Sequence, residues 1–270
     1  MKHCLLSWWR RCFARDANAN FAAVDWGRLC RQIPLLQGLN GDELEQLQRL
    51  ALQFLRQKSI TPLGVRPRPE QLAAMALQAC LPILYLGLDW YRNFYEIILL
   101  PAPVERHEEL AFGEGGQEEG SSHLGEAWEQ GPVVLVWPEV LHDGQWDGYH
   151  LVIHELVHKL DMLADGVANG MPPERPGVPI ARWQRELETV YAEVCRCHEA
   201  ALACCLDEQA CDGLDELFAI ASECFFSQPL ALQAQFPELY RLLALWYQQD
   251  PAQRQPRETR RRHGHAALAG

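Results

Sequence analysis

The chain has 270 residues, 48% of them apolar, and a formal net charge of −12, a length and apolar share that suit a folded protein with a sizeable core and exclude a disordered one. Nine of the 24 basic residues and one of the 36 acidic residues lie in segments 1–15 and 254–270, so the body between them carries 15 against 35, near −20. So acidic a body argues against a nucleic-acid partner, and no run reaches the roughly 18 apolar residues of a membrane span.

In chain order, MKHCLLSWWRRCFAR is a poor signal peptide, because its apolar stretch runs only from Cys4 to Trp9 and two arginines follow it. Residues 1–32 are expected to form an extension with little structure or partial helix. Asn40-Gly41-Asp42 starts a helix that continues to about Lys58, with Leu44, Leu47, Leu50, Ala51, Phe54 and Leu55 at helical spacing. Pro62, Pro67 and Pro69 interrupt it, a second helix follows from about Glu70 to Cys80, and Pro82 to Trp90 reads as helix or buried strand. Two strands follow, Tyr95–Leu100 and Val133–Trp137, separated by an acidic, glycine-rich loop at 113–125. Helices are then expected near 147–163, 180–204, 215–227 and 237–249, with a Gly/Pro-rich linker at 165–179. The arginine-rich segment 254–270 reads as a solvated, disordered tail.

Helices, a few strands and helices again indicate an α+β fold, with one domain over residues 33–253. Six of the ten cysteines fall between Cys195 and Cys224 without CxxC spacing, which suits free thiols in a reducing cytoplasm. Cys195, Cys197 and His198 point in different directions from a helix, which argues against a second metal cluster there.

The chemistry concentrates at HELVH, residues 154–158. Histidines four apart on a helix have Cβ atoms about 5–6 Å apart, so His154 and His158 can chelate one zinc ion at roughly 2.0–2.1 Å. Glu155 stands about 100° round the helix, outside the ligand set but beside a water held by the metal. Zinc lowers the pKa of that water to about 7, and a carboxylate there can take the proton as a peptide carbonyl is attacked, then pass it to the leaving amine. Leu151, Val152, Ile153, Leu156, Val157 and Leu160 surround the motif, so its helix should be largely buried. His150 lies eight residues, about 12 Å, from His158 and reads as a bystander or rim residue.

A third ligand is required, and HExxHxxGxxH is excluded, since Asp161 and Ala164 stand at its glycine and third histidine. The natural source is DELFAIASECFFS at 215–227, where Glu216 and Glu223 share a face, one as ligand and one as support. Asp161 can accept a hydrogen bond from a ligand imidazole and so fix its tautomer.

Longer stretches carry a resemblance: LPILYLGLDWYRNFYEIILLPAPV, GEAWEQGPVVLVW, HELVHKLDM, ELFAIASECFFS and FPELYRLLALWYQQDPAQR, spread over residues 33–254. Together they resemble the glucose-regulated zinc metallopeptidases typified by Mlc titration factor A. The resemblance implies a zincin-like fold related to the anthrax lethal factor catalytic domain, with an HExxH helix, a small sheet and a helical N-terminal region. It also implies aminopeptidase activity on peptides, one zinc per chain, and a link to glucose uptake through the repressor Mlc. Residue by residue it assigns His154, His158 and Glu216 as ligands and Glu155 as base, and places an aspartate at Asp161. One departure is Gln209, where the family has a tyrosine thought to donate a hydrogen bond to the oxyanion. A glutamine amide can also donate, from a shorter side chain, and such donors are commonly worth about 2.7–4 kcal/mol. The alternative is a regulatory protein that binds an Mlc-like repressor with weak or no catalysis.

Overall fold

The computed structural model describes residues 21–103 and 131–255. The expectations for the N-terminal fifteen residues, the loop at 113–125 and all but the first two residues of the basic tail lie outside these.

Helix α1, Trp26–Gln32, is capped by Asp25, whose carboxylate accepts from the Arg28 amide at 2.8 Å. Helix α2, Gly41–Gln57, opens on a capping box in which Asn40 accepts from the Glu43 amide and Glu43 accepts from the Asn40 amide. Strand β1, Ser59–Pro62, follows directly and was not expected, because a four-residue SITP ending in proline has neither length nor alternation to mark it. Helix α3, Pro69–Cys80, starts with proline at its first position and returns the chain to β2, Glu96–Leu100, which runs parallel to β1. Residues 82–87 are neither helix nor strand: they turn through Gly87, at φ +86°, into a 3-10 helix at Leu88–Tyr91.

Strand β3, Val133–Val136, pairs parallel with β2, giving the order β1-β2-β3 with Ile97 opposite Val133 and Leu99 opposite Leu135. These four apolar residues are buried, so one sheet face seals against helices. The strand stops a residue earlier than expected, because Pro138 makes Trp137 the start of a short helix α4, Trp137–Val140. The rest is helical: α5, Leu151–Asp161; α6, Ile180–Glu199; α7, Leu214–Ser227; α8, Pro229–Gln235; α9, Pro237–Tyr247; and α10, Pro251–Arg254. Helix α6 ends five residues sooner than its periodicity suggested, where Ala201 turns left-handed at φ 51°. Helix α8 was missed because Pro229 and Pro237 divide one apolar region into two short helices.

This is an α+β architecture with α7 at its centre, all eleven of its residues from Leu217 to Ser227 being buried. Trp183, Phe218 and Trp246 pack edge to face around it at 5.2 and 5.9 Å between centroids. The Tyr247 hydroxyl meets Ser222 Oγ at 2.9 Å, tying α9 to the same helix. Side chains projecting from α7 therefore have a rigid base. No helix among the described residues is long and apolar enough to cross a membrane.

Candidate metal centre

The motif helix α5 buries Val152, Ile153, Leu156, Val157 and Leu160 and packs on α7 and β3. Its N-terminus needs partners for amides that no helical carbonyl can reach. Asp143 supplies two, its Oδ1 accepting from Leu151 at 3.1 Å and its Oδ2 from Val152 at 3.0 Å. His150 supplies a third by accepting from Ile153 through Nδ1 at 3.3 Å. His150 is thus corrected from a rim residue to a fully buried cap, with Nε2 at 3.1 Å from Gln78 Oε1. Burial pushes its pKa down to about 3, so the ring is neutral and donates to Gln78 from Nε2.

Burial also raises Asp143 to about 7, against the pull of the Val152 and Leu151 amides. An acid whose folded pKa lies above its unfolded value favours folding while protonated, and that contribution is lost as pH rises from about 4 toward 7. His150, with its depressed pKa, contributes the opposite slope up to about pH 6.5, so Asp143→Asn should make stability climb more with pH than in the wild type; urea denaturation of both at pH 5 and 7.5 measures the difference.

One turn apart on α5, His154 and His158 bring their Nε2 atoms to 3.2 Å. Glu216, in the first turn of α7, reaches both: Oε2 is 3.3 Å from His154 Nε2 and Oε1 is 3.4 Å from His158 Nε2. A tetrahedral ion with bonds of about 2.0–2.1 Å has ligand-to-ligand edges of about 3.3–3.4 Å. The observed contacts are close to that figure, Glu216 meeting each imidazole through a different oxygen, and among the described residues no other group of histidine, cysteine and acidic side chains converges in this way. The donors fit a divalent cation. Cys195, Cys197 and His198 do not converge: Cys197 Sγ turns to Glu193 and His198 Nε2 to the Leu206 carbonyl.

Glu223, 4% exposed, lies two turns after Glu216 and holds the site from behind. Its Oε1 takes the Nδ1 hydrogen of His154 at 2.7 Å and its Oε2 takes the His150 amide at 2.6 Å. A hydrogen on Nδ1 leaves the Nε2 lone pair of His154 facing the cation position. Burial alone would lower the pKa of His154, but Glu216 and Glu223 outweigh it and push it up to about 10. Hydrogen bonds from His154 and His158 hold Glu216 well below the usual carboxylate range. The pocket favours positive charge between these groups. Burial raises Glu155, the imidazoles lower it, and Glu216 and Glu223 raise it further, a balance that moves a carboxylate toward the range useful for general-base work.

Asp161 is buried at the far end of α5, and its Oδ2 accepts from the Asn169 and Gly170 amides at 2.7 and 2.6 Å. Its hydrogen bonds therefore go to the following turn and not to an imidazole, while Oδ1 has no partner among the described residues. Gly170 is held at φ +78°, and a Cβ there would stand 2.5 Å from the Leu214 carbonyl and 2.8 Å from Leu187. Leu214 begins the helix that presents Glu216. Gly170→Ala is expected to destabilise by about 2–4 kcal/mol through left-handed strain and the clash, read as a drop in thermal midpoint.

A cleft of about 580 Å³ opens onto His154 and Glu155, and Gln209 lines it together with Tyr149, Asp147 and Asp207. Tyr149 was not singled out from the sequence; its hydroxyl donates to Glu139 at 2.5 Å. Asp143 and Gln78 were also missed, because the helix amides they serve or approach through His150 are 8 to 72 residues away along the chain.

Residues 6–248 match the family model of glucose-regulated metallo-peptidase M90. The chain is 41% identical to Mlc titration factor A of Edwardsiella ictaluri over 235 residues, 85% of this chain and 88% of that protein. It is 36% identical to Mlc titration factor A of Yersinia pestis over 231 residues, 82% of this chain and 83% of that protein. With this match spanning the HExxH helix and the helix bearing Glu216, the chain belongs to the glucose-regulated metallo-peptidase M90 family.

Proposed function

We propose that this metallopeptidase is a zincin-like, zinc-dependent enzyme that cleaves short peptides from the amino end, with His154, His158 and Glu216 as ligands and Glu155 as base. The observation that carries the reading is the convergence of both imidazole Nε2 atoms and the Glu216 carboxylate, with contacts of 3.2 to 3.4 Å, beside the half-buried Glu155. Bound zinc supplies Lewis acidity, which makes water a stronger acid and a carbonyl a better electrophile. Glu155 takes the proton of the attacking water and returns it to the departing amine. Glu223 keeps the hydrogen of His154 on Nδ1 throughout. Gln209 faces the same cleft and is the candidate donor to the developing oxyanion.

The amino-end preference follows the family resemblance and is supported by the cleft lining, which includes Asp147 and Asp207 and no lysine or arginine among the described residues. Carboxylates there suit a protonated α-amine. Its test compares an alanyl anilide with a free amine against the same compound N-acetylated. A preference of about tenfold or more for the free amine is expected, the size of one charge-assisted contact, and equal rates would overturn the amino-end reading. The eight cysteines of the described residues are all free, in keeping with a cytoplasmic setting.

A second reading is favoured by Gln209 and by the name of the relatives: binding of an Mlc-like repressor with little catalysis. Partner binding that survives Glu155→Gln would separate the two.

A further inference from the structure

The cysteines concentrated between Cys195 and Cys224 frame the segment 200–213, which joins α6 to α7 and contributes Cys204, Cys205, Leu206, Asp207 and Gln209 to the wall of the cleft. Cys205 is half-buried at that wall, whereas Cys224 is 1% exposed on the rigid helix α7, directly after Glu223. Cys224 Sγ points at the Cys205 backbone, 3.7 Å from its carbonyl oxygen, and lies 3.8 Å from that of Gln228. The Cys205 amide donates to Gln235 at 2.8 Å, which keeps the residue beside its partner. Cys205 lines the cleft and Cys224 is sheltered behind it, the arrangement of an attacking cysteine with a resolving cysteine.

We propose that Cys205 and Cys224 form a peroxide-responsive dithiol whose disulfide staples the wall of the metal cleft to α7. The Cys205 thiolate attacks one oxygen of hydrogen peroxide, the O–O bond breaks, and Cys205 becomes a sulfenic acid while hydroxide leaves and is protonated to water. Cys224 sulfur then attacks the sulfenic sulfur, the S–O bond breaks, and the hydroxyl leaves with the Cys224 proton as a second water. Two thiols lose two electrons and the peroxide gains them. The neighbouring Cys224 side chain lowers the pKa of Cys205, which favours the first step, while Cys204 beside it is raised by burial. The proposal concerns sulfur chemistry and stands whether or not the metal reading holds.

The full chain is treated with a small excess of hydrogen peroxide and mapped by mass spectrometry without reduction. The expected product is a Cys205–Cys224 cross-linked peptide lighter by two hydrogens and reversed by dithiothreitol. Cys205→Ser should lose the cross-link and Cys204→Ser should keep it. Amide hydrogen exchange in segment 202–213 should slow by about tenfold in the oxidised chain, since opening of the segment is then restrained. Oxidation of Cys205 to sulfinic acid without a cross-link, a cross-link through Cys204 or between Cys195 and Cys211, or unchanged exchange would each overturn the proposal.

Discussion

Glu155→Gln is expected to lower peptide hydrolysis by about 10²- to 10⁴-fold, the usual worth of a positioned general base, and to leave the metal in place. The substitution conserves length and shape, so α5 keeps its packing on α7, but an amide cannot take a proton from water. Glu155 is not one of the three converging donors, and its carboxylate is crowded by Glu216 and Glu223. Removing one of three neighbouring negative charges from a half-buried site should leave the fold as stable as before or slightly more so. Steady-state kinetics on a short peptide, with metal content measured on the same sample, reads both quantities. Hydrolysis within about tenfold of wild type would rule out Glu155 as the base.

The two glutamates of α7 should fail in different ways. Glu216→Ala removes one of three donors, and the variant is expected to be purified without metal. Its metal-free stability should fall less than that of Glu223→Ala, because Glu216 is 30% exposed and its loss leaves the imidazoles open to water. Glu223→Ala leaves all three donors but frees the His154 ring and the His150 amide, whose partners are at 2.7 and 2.6 Å. Loss of such a supporting carboxylate typically weakens metal binding about 10- to 100-fold. Two buried hydrogens left unpaired cost about 1–3 kcal/mol each, so Glu223→Ala should also destabilise the metal-free protein. Competition with a zinc chelator and urea denaturation of the stripped proteins separate the cases. Equal behaviour of the two variants in both assays would remove the distinction between ligand and support.

The donor pair and the supporting helices were legible for a physical reason: helical periodicity places His154 over His158 and Glu216 on the face of Glu223, and apolar neighbours mark those faces as buried. Choosing Glu216 over Glu223 needed the family resemblance, since spacing treats them alike. The cap of α5 was hidden, because Asp143 serves it across a loop and His150 reads as one more histidine in the 150, 154, 158 series until its burial is seen. Asp161 reads in the sequence as an acceptor for a ligand imidazole, but its hydrogen bonds go to Asn169 and Gly170, a turn that only the folded linker brings near. Strand β1 escaped notice because its stability comes from pairing with β2 and not from its own four residues. Tyr149 likewise reaches the cleft of Gln209 through the fold, 60 residues earlier in the chain.

The most direct test of the account is the zinc content of wild-type protein, purified without added metal and dialysed, beside His154→Ala prepared in parallel. About one zinc per chain in wild type and almost none in the variant is the predicted result, as three converging donors of this kind hold the ion firmly while two do not. A wild-type chain that arrives metal-free and takes up no zinc at micromolar excess, or a variant that retains as much as wild type, would contradict it.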